Sequence, residues 1–106
     1  MTTDSAPDPS VTVVCLMRPR PDAAETLQRS LLALVKPTRA ESGCLAYDLY
    51  QEDDGPLVLV ETWRSPADFA AHQQQPAVQQ LFVDQLGALL AEDLTVHQGA
   101  RLSPAP

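Results

Sequence analysis

Glu61-Thr62-Trp63-Arg64-Ser65-Pro66-Ala67-Asp68-Phe69-Ala70-Ala71-His72 is the stretch on which the reading of this chain turns. Its first part closes an apolar run that begins Leu57-Val58-Leu59-Val60 and reads as a strand over 57–64. Its second part opens a helix: Ser65 is an N-cap, Pro66 sits at the first helical position, and Asp68 lies near the positive helix end. Phe69 and His72 then share one helix face at i, i+3. Upstream, Asp53-Asp54-Gly55-Pro56 is a turn, short enough to make the preceding strand, Cys44–Gln51, antiparallel to this one.

The remaining elements extend outward from this hairpin. Val11 to Arg18 reads as a first strand ended by Pro19 and Pro21. Asp22 is an expected N-cap with Glu25 in the capping-box position, followed by Ala24, Leu27, Leu31, Leu34 and Val35 on one helix face. Pro37 ends or kinks that helix, and Gly43 is free to turn left-handed at its exit. After Gln73-Gln-Gln-Pro76 a second helical segment carries Val78, Phe82, Leu86, Leu89 and Leu90, and Leu94 to Arg101 reads as the last strand. Residues 11–102 thus form one domain, with loose tails at 1–10 and 103–106.

The order β-α-β-β-α-β predicts a ferredoxin-like α+β fold, a four-stranded antiparallel sheet with helices on one face. That arrangement leaves the second sheet face bare. Yet Val and Leu occupy both faces of the first and third strands, so a second copy of the same sheet is expected to cover it. In this strand order the third strand lies between the first and second. Cys15 and Cys44 would then be roughly 10 Å apart, too far for a disulfide, so both are expected as free thiols.

Several side chains invite a chemical reading. His72 either lines a pocket between helices and sheet or is hydrogen-bonded to a sheet residue such as Glu61. Glu61 stands inside an apolar strand, so it is paired or faces a cavity. There it is a candidate proton acceptor, with burial raising its pKa, or a structural anchor. Trp63, the single tryptophan, is a core residue or a flat wall for an aromatic ligand. Tyr47 and Tyr50 fall on opposite faces of their strand, so at most one should line a given pocket.

The pair Glu61-x-Trp63, followed nine residues after the tryptophan by His72, resembles the antibiotic biosynthesis monooxygenase (ABM) family, quinol monooxygenase-like members included. The resemblance implies a dimeric α/β barrel paired through sheet faces. It also implies a cofactor-independent oxygenation, in which the substrate's own carbanion reacts with O2 and the protein supplies a dry pocket, stacking surface and proton acceptor. On that reading His72 and Glu61 are catalytic, and Trp63, Tyr47, Tyr50 and Phe69 bind a small aromatic substrate. The absence of asparagine departs from superfamily members that place one beside a tryptophan, and argues against haem degradation.

Composition narrows the alternatives. A net charge of −7 disfavours nucleic acid. No apolar run reaches the ~18 residues of a membrane span, and Met1-Thr-Thr-Asp-Ser5 lacks a signal-peptide pattern, so a cytoplasmic location is expected. No HxxxH, CxxC, P-loop or GxSxG motif is present, which gives no support for a metal, nucleotide or flavin site. A non-catalytic small-molecule-binding dimer, or an isomerase- or dehydratase-like enzyme using Glu61 or His72 as base, fits the same pattern.

Overall fold

The computed structural model describes residues 8–104. The expected tails at 1–10 and 103–106 lie partly outside the described residues. Strands β1 (Val11–Met17), β2 (Cys44–Gln51), β3 (Leu57–Trp63) and β4 (Thr95–Ala100) form one sheet in the order β2-β3-β1-β4, every neighbour antiparallel. The expected ferredoxin-like α+β fold is therefore the fold observed. Among the described residues no helix is long and apolar enough to cross a membrane.

The alternation in β1 and β3 is strict. Val11, Val13, Cys15 and Met17, and likewise Leu57, Leu59, Glu61 and Trp63, are buried under the helices. Their neighbours Thr12, Val14, Leu16, Val58, Val60 and Thr62 are half-buried on the outer face. Helix α1 (Ala24–Arg39) lays Leu27, Leu31, Leu34 and Thr38 onto the inner face. Each such apolar side chain removed from water contributes about 1.5–3 kcal/mol.

Three local expectations change. Asp22 makes no cap bond: a 3₁₀ turn at Pro21–Ala23 precedes α1, whose N-cap position is Ala23. Of the two outcomes expected at Pro37, an end or a kink, the end does not occur, since α1 runs on to Arg39 with Pro37 inside it. Ala24 is exposed because that turn rotates the helix start and buries Ala23 in its place.

Helix α2 (Pro66–Gln73) begins as expected, with Ser65 Oγ accepting from the Asp68 N–H at 3.2 Å. The helical run after Pro76 is broken into α3 (Pro76–Gln79), a π segment (Gln80–Gln85) and α4 (Leu86–Leu89). The wider π turn shifts the buried stripe by one residue, so Leu81 is buried and Phe82 is left half-exposed. The end of this run is tied to the sheet, with Ala91 N–H donating to Arg18 O at 2.8 Å and Arg20 N–H to Leu89 O at 2.9 Å.

Gly43 joins α1 to the sheet with φ +88°, the left-handed region, and its carbonyl accepts from Arg64 N–H at 2.8 Å. A Cβ there would run into the Asp68 side chain, which caps α2 through Ser65 and holds Arg64. We expect Gly43→Ala to lower unfolding free energy by about 1–3 kcal/mol. Urea denaturation followed by the Trp63 fluorescence measures this, and a variant as stable as the parent would refute it.

Candidate active site

Glu61 and Trp63 occupy alternate positions of β3, so both side chains point to the helix side. There the Trp63 indole Nε1–H donates to Glu61 Oε1 at 2.8 Å. The Ser65 cap fixes the start of α2, and its last turn brings His72 down over the same pair. His72 lies against Trp63 with ring centroids 4.5 Å apart, and its Nε2 is 3.8 Å from Glu61 Oε1, beyond hydrogen-bond range. On the other side of the ring, Nδ1 is 2.8 Å from Glu41 Oε2. An ionised carboxylate only accepts, so with Glu41 as partner a neutral ring would carry its hydrogen on Nδ1 and present a bare Nε2 toward Glu61. The residues expected from sequence, Glu61, Trp63, Phe69 and His72, do converge.

Burial raises Glu61 above the ordinary carboxylate value, and the Glu41 charge adds to this, while the Trp63 hydrogen bond and His72 pull the other way. Burial, and after it the Glu61 charge, pushes the Cys15 thiol up to about 12. Cys15 therefore stays a neutral thiol and behaves as an apolar wall. Cys44 is half-buried and also free, so the expected absence of a bridge between the two holds.

A cavity of about 240 Å³ opens between the sheet and the run from α2 to the π segment. Glu61, His72, Gln73 and Gln79 present its polar groups, Phe69 and Phe82 its aromatic walls, and Val13 and Cys15 its floor. Val83 and Val96, both exposed, stand at its rim.

Three residues expected to touch a ligand do not line this cavity. Trp63 is 0 % exposed and sits behind His72 and Glu61, so it supports the wall and is not its surface. Tyr47 packs edge-on against His72, its ring centroid 5.6 Å away, and is equally enclosed. Among the described residues its hydroxyl has no hydrogen bond of good geometry, and burial, then the Glu61 charge, raises its pKa, with the Thr38 side chain pulling the other way. Tyr50 pairs with Val58 and lies on the outer sheet face, 57 % exposed. The opposite-face placement of the two tyrosines is as the strand period predicts.

Sequence reasoning missed Glu41, Phe82 and Cys15. Glu41 lies in Arg39-Ala-Glu-Ser-Gly43, which reads only as a helix exit, and its role depends on a contact 31 residues away. Phe82 reads as core on an α-helical period, and only the π turn shows it to the cavity.

The sequence profile of the antibiotic biosynthesis monooxygenase family matches residues 10–83, a span that holds Glu41, Glu61, Trp63 and His72. The chain belongs to this family. It is 41% identical over 96 residues to Rv0793 of Mycobacterium tuberculosis, a protein named as a candidate monooxygenase, covering 90% of this chain and 94% of that one. The solved structure of Rv0793 superposes with a TM-score of 0.86 at 40% identity, over 92% of this chain and 99% of that one. PA3566 from Pseudomonas aeruginosa follows with 0.81 at 35% identity, covering 93% and 100% of the two chains. A crystal structure described as an antibiotic biosynthesis monooxygenase gives 0.78 at 28% identity, covering 88% and 99%.

The raised carboxyl of Glu61 has a consequence for stability. Its folded-state pKa lies above the ordinary 4.5, so its contribution to stability is present below pH 4.5 and is lost as pH rises through the folded value. Glu61→Gln keeps an oxygen for Trp63 and removes the charge. Relative to that variant, the parent should lose stability as pH rises from 4.5 into the neutral range. Denaturant unfolding of both proteins across that range tests it, and a difference that is flat or rises with pH would refute it.

Proposed function

We propose that this protein is a cofactor-independent monooxygenase that oxidises an aromatic quinol or polyketide-type phenol with O2, working as a homodimer paired through its sheet faces. One observation carries the chemistry: the Glu61 carboxylate, raised by burial, is presented to a mostly apolar cavity of about 240 Å³. A base for a phenol needs an affinity for protons above that of a free carboxylate, and burial supplies it. The same dry walls keep the substrate anion from bulk water until O2 reacts with it.

In this reading the substrate ring lies between Phe69 and Phe82 with its hydroxyl toward Glu61. Glu61 takes the proton, and the charge spreads from oxygen to a ring carbon bearing hydrogen. That carbon reduces O2 to a carbon-bound peroxide anion. A returning proton neutralises the peroxide. The O–O bond then breaks as the carbon loses its hydrogen, giving a carbonyl and water. Glu61 and His72 are the proposed catalytic residues and Phe69 and Phe82 the substrate contacts. Trp63 and Tyr47 hold His72 and Glu61 in place from behind. We place the protein in the cytoplasm, in keeping with its two free cysteines.

Oxygen uptake by the purified, metal-free protein against a panel of hydroquinones and anthrones tests the reaction. At least one compound should be consumed with O2, and Glu61→Gln should lower kcat by about 10²-fold or more. No uptake across the panel, or a Gln variant as fast as the parent, would overturn the monooxygenase reading.

The outer sheet face supports the dimer. Val14, Leu16, Val58 and Val60 make its apolar centre, half-buried in the single chain, beside the exposed Tyr50. Sedimentation at micromolar concentration should give about twice 11.5 kDa, and Val60→Glu should shift it toward the monomer. A parent protein that sediments as a monomer refutes the pairing.

A further inference from the structure

Once Glu61 has accepted the substrate's proton, it either keeps that proton for the peroxide or exchanges it with a neighbouring group. The groups around it restrict the exits. The Trp63 indole only donates. The Cys15 thiol and the Tyr47 hydroxyl already hold their protons firmly, for burial raises both. Gln73 and Gln79, at the cavity wall, are amides and take up no proton. His72 differs from all of these. Its Nε2 faces Glu61 at 3.8 Å, and its Nδ1 is bonded to Glu41 at 2.8 Å.

Glu41 is placed to finish such a route. Its side chain is 18% exposed, against 3% for His72 and 5% for Glu61, so the three stand in order from cavity to water. Its backbone is held on both sides, with Glu41 N–H donating to Thr38 O at 3.0 Å and Cys44 N–H donating to Glu41 O at 3.2 Å. A histidine that served only as a packing anchor would need one hydrogen-bond partner. This one stands between two carboxylates, one at a cavity and one at solvent.

We propose that Glu41 is the outer member of a proton relay, Glu61–His72–Glu41, that carries the substrate's proton out of the cavity and returns one to the reacting oxygen. The inference rests on the monooxygenase reading of the site. Glu61, protonated by the phenol, gives its proton to Nε2 after a side-chain rotation closes the 3.8 Å gap. The imidazolium then passes its Nδ1 proton to Glu41, which releases it to water and leaves the ring protonated on Nε2. When O2 has become a carbon-bound peroxide anion, the flow reverses. Glu41 takes a proton from water and passes it to Nδ1, while Nε2 delivers its own through Glu61 to the peroxide. One proton goes out and one comes in per turnover, and the ring ends in its starting tautomer. Glu41 is a positioning residue, since it acts through His72 and touches no substrate.

Two measurements decide it. The first needs no turnover. The chain has two histidines, and His97, exposed in β4, serves as internal reference. ¹⁵N-histidine NMR of the full chain should show the neutral His72 ring protonated on Nδ1 and bare on Nε2. The opposite tautomer overturns the relay. The second compares Glu41→Gln, which still accepts the Nδ1–H bond but carries no proton, with Glu41→Asp. With 1,4-naphthohydroquinone or anthrone, Glu41→Gln should lower kcat about tenfold or more, with KM within about twofold. A solvent deuterium isotope effect on kcat should appear, added acetate should restore part of the rate, and Glu41→Asp should retain most of it. An unchanged kcat means protons leave through the cavity mouth, and a loss that acetate does not relieve means Glu41 only holds the fold. Either result overturns the relay. If the parent consumes no oxygen with either compound, the monooxygenase reading fails on its own, and the His72 tautomer still decides whether the ring is set up to pass a proton.

Discussion

Glu61 is buried in a strand whose other inward side chains are Leu57, Leu59 and Trp63. An ionised carboxylate in such a place costs several kcal/mol unless its oxygens are satisfied. The Trp63 indole N–H satisfies one of them directly. His72, lying tilted against the same indole, supplies the nearest basic group. Much of the surrounding structure serves that arrangement. The Ser65 cap and the Arg64–Asp68 pair set where α2 begins, and thereby where His72 comes down. Tyr47 closes the remaining side of the imidazole. Glu41 then orients the ring through its other nitrogen.

The cavity exists because the second helical run is not regular. An uninterrupted α-helix from Pro76 would carry Phe82 into the core on the period of Val78 and Leu86. The π segment adds a residue to the turn, puts Leu81 into the core, and leaves Phe82 and Val83 beside the opening. Part of the Phe82 ring, still packed against the core, is thus left facing the cavity that Glu61 lines. The cost in helix regularity is offset at the far end, where Ala91 N–H donates to Arg18 O and Leu89 O accepts from Arg20 N–H, both in the segment that follows β1.

Most of the fold was legible because it rests on local signals. The period of two in β1 and β3, the Asp53–Pro56 turn, the Ser65-Pro66 helix start and Gly43 each act within a few residues. They fixed strand order, hairpin and helix placement. Within the site, Glu61 stood out as a charge in an apolar strand, and His72 shared a face with Phe69. What escaped depends on tertiary context. Trp63 and Tyr47 are as large and aromatic as ligand contacts are, and nothing local says they lie behind the wall. Glu41 is one of 14 acidic residues, and only the approach of α2 to the α1–β2 connection distinguishes it. The π turn has no sequence signal comparable to a proline or a glycine. Asp22 failed as a cap because Pro21 favours a tight 3₁₀ turn, which moves the helix start past it.

Register is where the fold and the chemistry become one constraint. Because side chains alternate strictly along β3, a slip of one residue against β1 would turn Glu61 and Trp63 to the outer face and bring Val60 and Thr62 inward. The pocket would lose its carboxylate and the outer face would gain a charge. Several features oppose that slip. The short turn at Asp53–Pro56, with Asp54 at φ +51°, sets β2 against β3. Thr12 and Thr62 share a hydrogen bond of 3.0 Å across β1 and β3 on the outer face. Gly43 O binds Arg64 N–H where β3 ends and α2 is about to begin. The irregular pairing between Cys44 and Ala46 lies at this same end, so β2 absorbs its misfit there and stays in step over the stretch from Tyr47 to Gln51. Tyr47 is thereby paired with Glu61, which places it beside the His72 ring. The position of one carboxylate is thus fixed by backbone bonds at both ends of the hairpin, and the apolar outer face follows from the same register.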